Sequence, residues 1–130
     1  MKSILITGGA GYIGSHACKE LARVGYRPVV LDNLSTGHRW AVKWGPFVQG
    51  DIADVRLVRT TLDEYQIEAV IHFAAHASVG ESMQSPFKYL HHNAAGSLAL
   101  LEAMREVGVR PFVFSSTCAT YGVPQSIPIS

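Results

Sequence analysis

The chain has 130 residues, with 11 Lys+Arg against 10 Asp+Glu, a net charge of +1, and 48% hydrophobic against 16% charged side chains. That length suits a single domain able to bury a core. The mixed charges leave no basic stripe for nucleic acid, no apolar run reaches membrane-spanning length, and "MKSILITGG" lacks the long apolar region and cleavage site of a signal peptide; a cytoplasmic protein is expected.

The first element, "SILIT" (3–7), is short, continuous and apolar, as a strand buried on both faces should be. The turn "GGAG" follows. Ile13, Ala17, Leu21 and Val24 then recur at helical spacing, with Lys19, Glu20 and Arg23 opposite, which predicts a helix packed through the apolar set. Gly25 supplies a left-handed stop. "PVVLD" (28–32) predicts the second strand, with Pro28 tolerable at its start.

Residues 33–45 read as a loop with one helical turn, and "FVQGD" (47–51) as the third strand. Asp54 is placed to cap a helix carrying Val55, Val58, Leu62 and Tyr65 on one side. "AVIHFAA" (69–75) is the fourth strand. Ser85 and Pro86 open a long helix that Gly108 and Pro111 end. Its residues Phe87, Leu90, Ala94, Leu98, Leu101 and Met104 form the stripe expected to pack on the sheet. "PFVFSS" (111–116) is the fifth strand, before a proline-containing loop. Strands alternating with helices predict an α/β fold: a doubly wound parallel sheet of five strands in order 3-2-1-4-5, with helices on both faces.

"ITGGAGYIG" (6–14) places four glycines in nine positions between strand and helix, where phosphate-binding loops belong. Gly8 permits a tight turn. Gly11 lets the main chain approach a pyrophosphate, and Gly14 lets the helix pack closely on the sheet. The helix start offers unpaired N–H groups and partial positive charge to an anion. The spacing Gly8-x-x-Gly11-x-x-Gly14 is one residue longer in its first gap than the common G-x-G-x-x-G, and glycines alone would fit an ordinary turn. Asp32, at the end of the second strand, adds the carboxylate that accepts hydrogen bonds from an adenosine ribose. It would repel a 2′-phosphate, so NAD is expected rather than NADP. Arg39 is a counter-signal in the same loop and reads as solvated.

Cys18 and Cys118 form neither a metal-type spacing nor a disulfide framework and read as free thiols. His72 and His76 straddle a strand end, and the neighbours His91 and His92 point apart on a helix, so no metal site is expected.

The chain resembles the extended short-chain dehydrogenase/reductases, and within them the UDP-glucose 4-epimerases. The resemblance is carried by "TGGAGYIGSH" (7–16), "DNLSTG" (32–37), "GDIAD" (50–54), "VIHFAA" (70–75), "VGESM" (79–83), "LLEAM" (100–104) and "FSSTCATYG" (114–122). It implies the chemistry of that family: NAD takes a hydride from C4 of a UDP-hexose, the keto sugar turns over, and the hydride returns to its other face. It implies that Tyr12 and Ile13 offer main-chain donors to the pyrophosphate. Asp32 would hold the ribose, with Asn33, Leu34, Ser35, Thr36 and Gly37 lining that end. Asp51 and Ile52 would flank the adenine. Phe73, Ala74 and Ala75 would lie under the cofactor. Thr117 stands where the family has its catalytic Ser/Thr, beside the sugar hydroxyl; the residue alone would equally suit a strand-end hydroxyl bonded to local backbone.

The chain departs from the pattern in three places. Ala77, near the cofactor, stands where the family often has lysine. In "YLHHNAAGS" (89–97), His92 replaces the first asparagine of the usual pair on the cofactor side. No tyrosine is followed four places later by lysine: His16, Val30, Ala69, Asn93 and Gln125 stand there instead. The resemblance therefore implies that residues 1–130 are an NAD-binding domain stopping before the Tyr-x-x-x-Lys pair and the substrate lobe, with weak NAD binding at best and little or no catalysis by themselves. It also implies a homodimer through the long helix. A sibling sugar-nucleotide epimerase or dehydratase, or a non-catalytic dinucleotide-binding module, is the alternative.

Overall fold

The computed structural model describes residues 1–74, 84, 86–115 and 125–126, with the side chains of 88–92 left aside. The strands are β1 (Ser3–Thr7), β2 (Arg27–Asp32), β3 (Phe47–Gln49), β4 (Ile67–His72) and β5 (Phe112–Phe114). They form one sheet in the order β3-β2-β1-β4-β5, with every pairing parallel. The expected order therefore holds.

Central β1 explains the run "SILIT". Leu5 faces one layer with Val29 and Leu31 of β2, and Ile4 and Ile6 face the other with Val30. A strand covered on both sides needs no polar alternation. Over the first layer lie two helices, α2 (Val55–Glu64) and α4 (Gly96–Val107). Val58, Leu62, Leu100, Ala103 and Met104 fill the larger core between them and the sheet. Over the second layer lies α1 (Tyr12–Arg23), whose Cys18 and Leu21 close the smaller cluster. Burial pushes the Cys18 thiol up to about 12, so it stays protonated at neutral pH.

The helix boundaries follow local chemistry. The Asp54 carboxylate accepts from the Leu57 N–H at 3.1 Å, the expected N-cap. Gly25 and Gly108 sit at φ +95° and +91°, and the N–H of Gly108 returns to the Met104 carbonyl at 2.8 Å.

Four expectations need correction. β3, β4 and β5 end at Gln49, His72 and Phe114, before the limits read from the sequence. β4 also begins two residues sooner, at Ile67, which is buried. In α1, the inward face is Gly14–Cys18–Leu21. Ile13 and Val24 are exposed, because the close contact of Gly14 with the Gly8 turn fixes which face of the helix meets the sheet.

The long helix is not one regular rod. A short α3 (Pro86–Tyr89) passes through a π-helical stretch (Leu90–Ala95) into α4. The wider turn shifts the face that follows. Gly96, Leu100, Ala103 and Met104 turn inward, while Phe87, Leu98 and Leu101 of the expected packing stripe face outward. Leu98 is 60% exposed and Leu100 is 0%. Leu100→Ala should therefore cost about 2–5 kcal/mol, and Leu98→Ala under about 1 kcal/mol. Urea unfolding of both variants checks which face is buried.

Candidate functional site

The chain leaves β1 and moves outward through β2 and β3, then returns to place β4 on the other side of β1. Open α/β sheets bind ligands at such a reversal, beyond the carboxyl ends of the strands. A cleft lies there. Gly8, Gly11, Leu31, Asp32, Asn33, Ser35, Thr36, Gly37, Gly50, Ile52, Phe73 and Ala74 line it.

The glycines of the turn serve different ends. Gly8 lies at φ +71°, its N–H donates to the Leu31 carbonyl at 2.9 Å, and a Cβ there would sit 2.8 Å from the Ala74 nitrogen. A Cβ on Gly14 would run into the Gly8 carbonyl oxygen. Packing of the protein against itself accounts for both. Gly11 is different: its φ of −82° suits any residue, and a Cβ would meet only the Gly8 oxygen, at 3.3 Å. Its missing side chain keeps the cleft wall bare. Gly11 is also the N-cap of α1 and makes no side-chain cap. The main-chain donors of Tyr12 and Ile13 thus begin a helix with no side-chain oxygen in front of them, while their own side chains are exposed. A bare, electropositive helix start beside an open wall suits a phosphate group.

Asp32 lines the cleft from the end of β2. It is buried, and its two carboxylate oxygens accept from the Ala10 N–H at 3.0 Å and the Leu34 N–H at 2.8 Å. Each oxygen keeps a second lone pair, so the group retains capacity for hydroxyl donors. Leu34 takes φ +62°, uncommon for a branched residue, and the Asp32 contact stabilises that turn. Asn33 accepts from the Ser35 N–H at 2.9 Å and reaches Asp51 at 3.4 Å, while Asp51 accepts from the Ala53 N–H at 2.9 Å. The loop after β2 is thereby tied to the end of β3.

Of the expected site residues, Gly8, Gly11, Asp32, Asn33, Ser35, Thr36, Gly37, Ile52, Phe73 and Ala74 line this one cleft. Tyr12, Ile13 and Gly14 form the helix start beside it. Leu34 and Asp51 stand behind the lining residues through the bonds just given. Ala75, Ala77 and Thr117 lie outside the described residues. His92 falls in the π-helical stretch, its side chain undescribed.

The sequence reading missed Leu31 and Gly50 in the lining. It also missed a buried polar line beneath the floor, Thr7–His72–Ser97. A histidine between apolar neighbours in a buried strand was the available signal, since such a group needs partners. Among the described residues, no group of three or more His, Cys, Asp or Glu could hold a metal ion, and no helix is long and apolar enough to cross a membrane.

The sheet order and the glycine turn at its reversal define a Rossmann-type α/β domain. Residues 4–130 match the NAD dependent epimerase/dehydratase family, and the chain belongs to it. A UDP-glucose 4-epimerase of Rhizobium leguminosarum bv. trifolii is 52% identical over 128 residues, which cover 98% of this chain and 39% of that protein. The crystal structure of a UDP-glucose 4-epimerase from Brucella ovis in complex with NAD superposes with a TM-score of 0.92 at 53% identity, covering 98% of this chain and 39% of that one. The enzyme from Stenotrophomonas maltophila, solved with bound NAD and formylated UDP-arabinopyranose, gives 0.93 at 42% identity, over 99% and 41%. The chain thus spans about 39% of the length of these curated relatives.

The contrast between glycines is open to test. Gly14→Ala should destabilise the fold by about 2 kcal/mol or more through the main-chain clash, whereas Gly11→Ala should stay within about 1 kcal/mol. Thermal unfolding of the two variants reads the difference.

Proposed function

We propose that this chain is the NAD-binding part of a UDP-glucose 4-epimerase, which interconverts UDP-glucose and UDP-galactose. The observation that carries the reading is the cleft itself. A bare Gly11 wall and an uncapped α1 start face a buried Asp32 with spare lone pairs, in a chain half identical to UDP-glucose 4-epimerases over nearly its whole length.

The residues present fit NAD. The Tyr12 and Ile13 N–H groups would hold the pyrophosphate. Asp32 would accept from the adenosine ribose hydroxyls and disfavour a 2′-phosphate by like charge. Ser35, Thr36 and Gly37 would line that end, and Asp51 and Ile52 would bound the adenine. Phe73 and Ala74 would form the floor, with Ala75 and Ala77 beyond them and His92 on the helix side. When bound, NAD supplies a reversible hydride acceptor for C4 of the sugar. Thr117 would hydrogen-bond the C4 hydroxyl and help move its proton. The sequence holds no Tyr-x-x-x-Lys pair, so residues 1–130 alone should not turn substrate over. Phe87, Leu98 and Leu101, exposed along the long helix, would form a self-association face and support a homodimer. A cytoplasmic setting accords with the free thiol of Cys18.

A chimera tests the proposal. Residues 1–130 are joined to the remaining length of the Rhizobium leguminosarum enzyme. It should bind NAD at least roughly tenfold more tightly than NADP, the discrimination expected of one well-placed charge, and interconvert UDP-glucose and UDP-galactose. The 130-residue chain should not. A chimera that holds NAD but acts only on other nucleotide sugars would reassign the substrate. A folded chimera indifferent to NAD would overturn the reading.

A further inference from the structure

Beneath the cleft floor the imidazole of His72 is 1% exposed, held between two hydroxyls from different elements. Nδ1 lies 2.6 Å from Thr7 Oγ1 and Nε2 lies 2.8 Å from Ser97 Oγ. Thr7 Oγ1 also accepts from the Ala74 N–H at 3.4 Å, and the Thr7 carbonyl accepts from the Phe73 N–H at 2.9 Å.

The two ends of the ring are unequal. The Nδ1 end meets the residue just before Gly8, which is itself bonded to the two floor residues Phe73 and Ala74. The Nε2 end meets α4, one residue after Gly96. In the Nε2–H tautomer the Thr7 hydroxyl donates to Nδ1 and Nε2–H donates to Ser97 Oγ; in the Nδ1–H tautomer both bonds reverse, and the two ties remain.

We propose that His72 is a positioning residue for the dinucleotide seat. Through Nδ1 it locks the Thr7 hydroxyl, and with it the Gly8 turn and the Phe73–Ala74 floor, at the spacing a cofactor needs, while Nε2 ties that seat to α4. The inference rests on the reading of the cleft as an NAD site. His72 touches no cofactor; it acts through main chain that does. The clearance involved is small, because a Cβ on Gly8 would sit only 2.8 Å from the Ala74 nitrogen. A freed Thr7 hydroxyl would let that spacing slide.

The two ring ends can be replaced separately. An asparagine amide is short and can stand in for Nδ1; a glutamine amide reaches the place of Nε2. NAD affinity is read by titration of the chimera described above and its variants, and stability by urea unfolding. Thr7→Val and His72→Gln should each weaken NAD binding by roughly tenfold or more, as expected when a buried group loses its partner. His72→Asn should recover most of that affinity. Ser97→Ala should lower the unfolding midpoint with a much smaller loss of affinity. Affinity that merely follows stability across all four variants, or that is unchanged by Thr7→Val, would overturn the positioning role. Should His72→Gln fail to fold, the Thr7→Val and Ser97→Ala pair still decides it. An unsubstituted chimera that does not bind NAD would overturn the cofactor reading and this inference together, whereas normal binding by its Thr7→Val variant would overturn the inference alone.

Discussion

The fold hangs on one close contact between stretches of main chain. The turn leaving β1 lies against both the start of α1 and the end of β4, with no room for a Cβ at Gly14 or Gly8. This contact sets the depth of α1 on the sheet and leaves its uncapped start beside the cleft. Glycine is costly to order, and the turn carries several. What offsets that cost is the packing of helix on sheet at two positions. At Gly11 the demand is milder, one 3.3 Å approach to the Gly8 oxygen, and the missing side chain leaves the cleft wall bare.

Much of this was legible in the sequence because it is written in local chemistry. The run "SILIT" marks a strand covered on both faces, Asp54 marks a helix start, and Gly25 and Gly108 mark helix ends. Asp32 after a second apolar strand fixes the partner of the glycine turn. What the sequence did not disclose depends on tertiary contact. Ile13 and Val24 have the right spacing for a buried stripe, yet the tight seating of Gly14 turns them outward. The stripe from Phe87 to Leu101 has the right period for an ideal α-helix, but the π-helical stretch breaks the phase, so Leu100 and Ala103 are buried instead. Periodicity assumes regular geometry, and it fails where the geometry changes.

The cleft was legible as a set of residues but not as a mechanism of support. Ten expected residues line one space, yet the groups that hold their main chain in place are Ala10, Asn33 with Asp51, and the line Thr7–His72–Ser97. Buried polar groups of this kind are satisfied across long sequence separations, 65 residues between Thr7 and His72, and no window along the chain displays them. They also explain why strands from both sides of the reversal point act as one unit: β1 and β4 share a polar bond as well as apolar contacts.

Asp32 carries a double duty that constrains how this cleft could change. Its carboxylate fastens Ala10 within the glycine turn and Leu34 in the following loop. Any replacement made to admit a bulkier, more anionic adenosine would release both fastenings at once. On the proposed role of Asp32 in choosing the cofactor, that choice and the loop architecture are inherited together. A lineage that altered the first would have to rebuild the second, by a new donor–acceptor pair spanning the same gap, before the altered preference could persist.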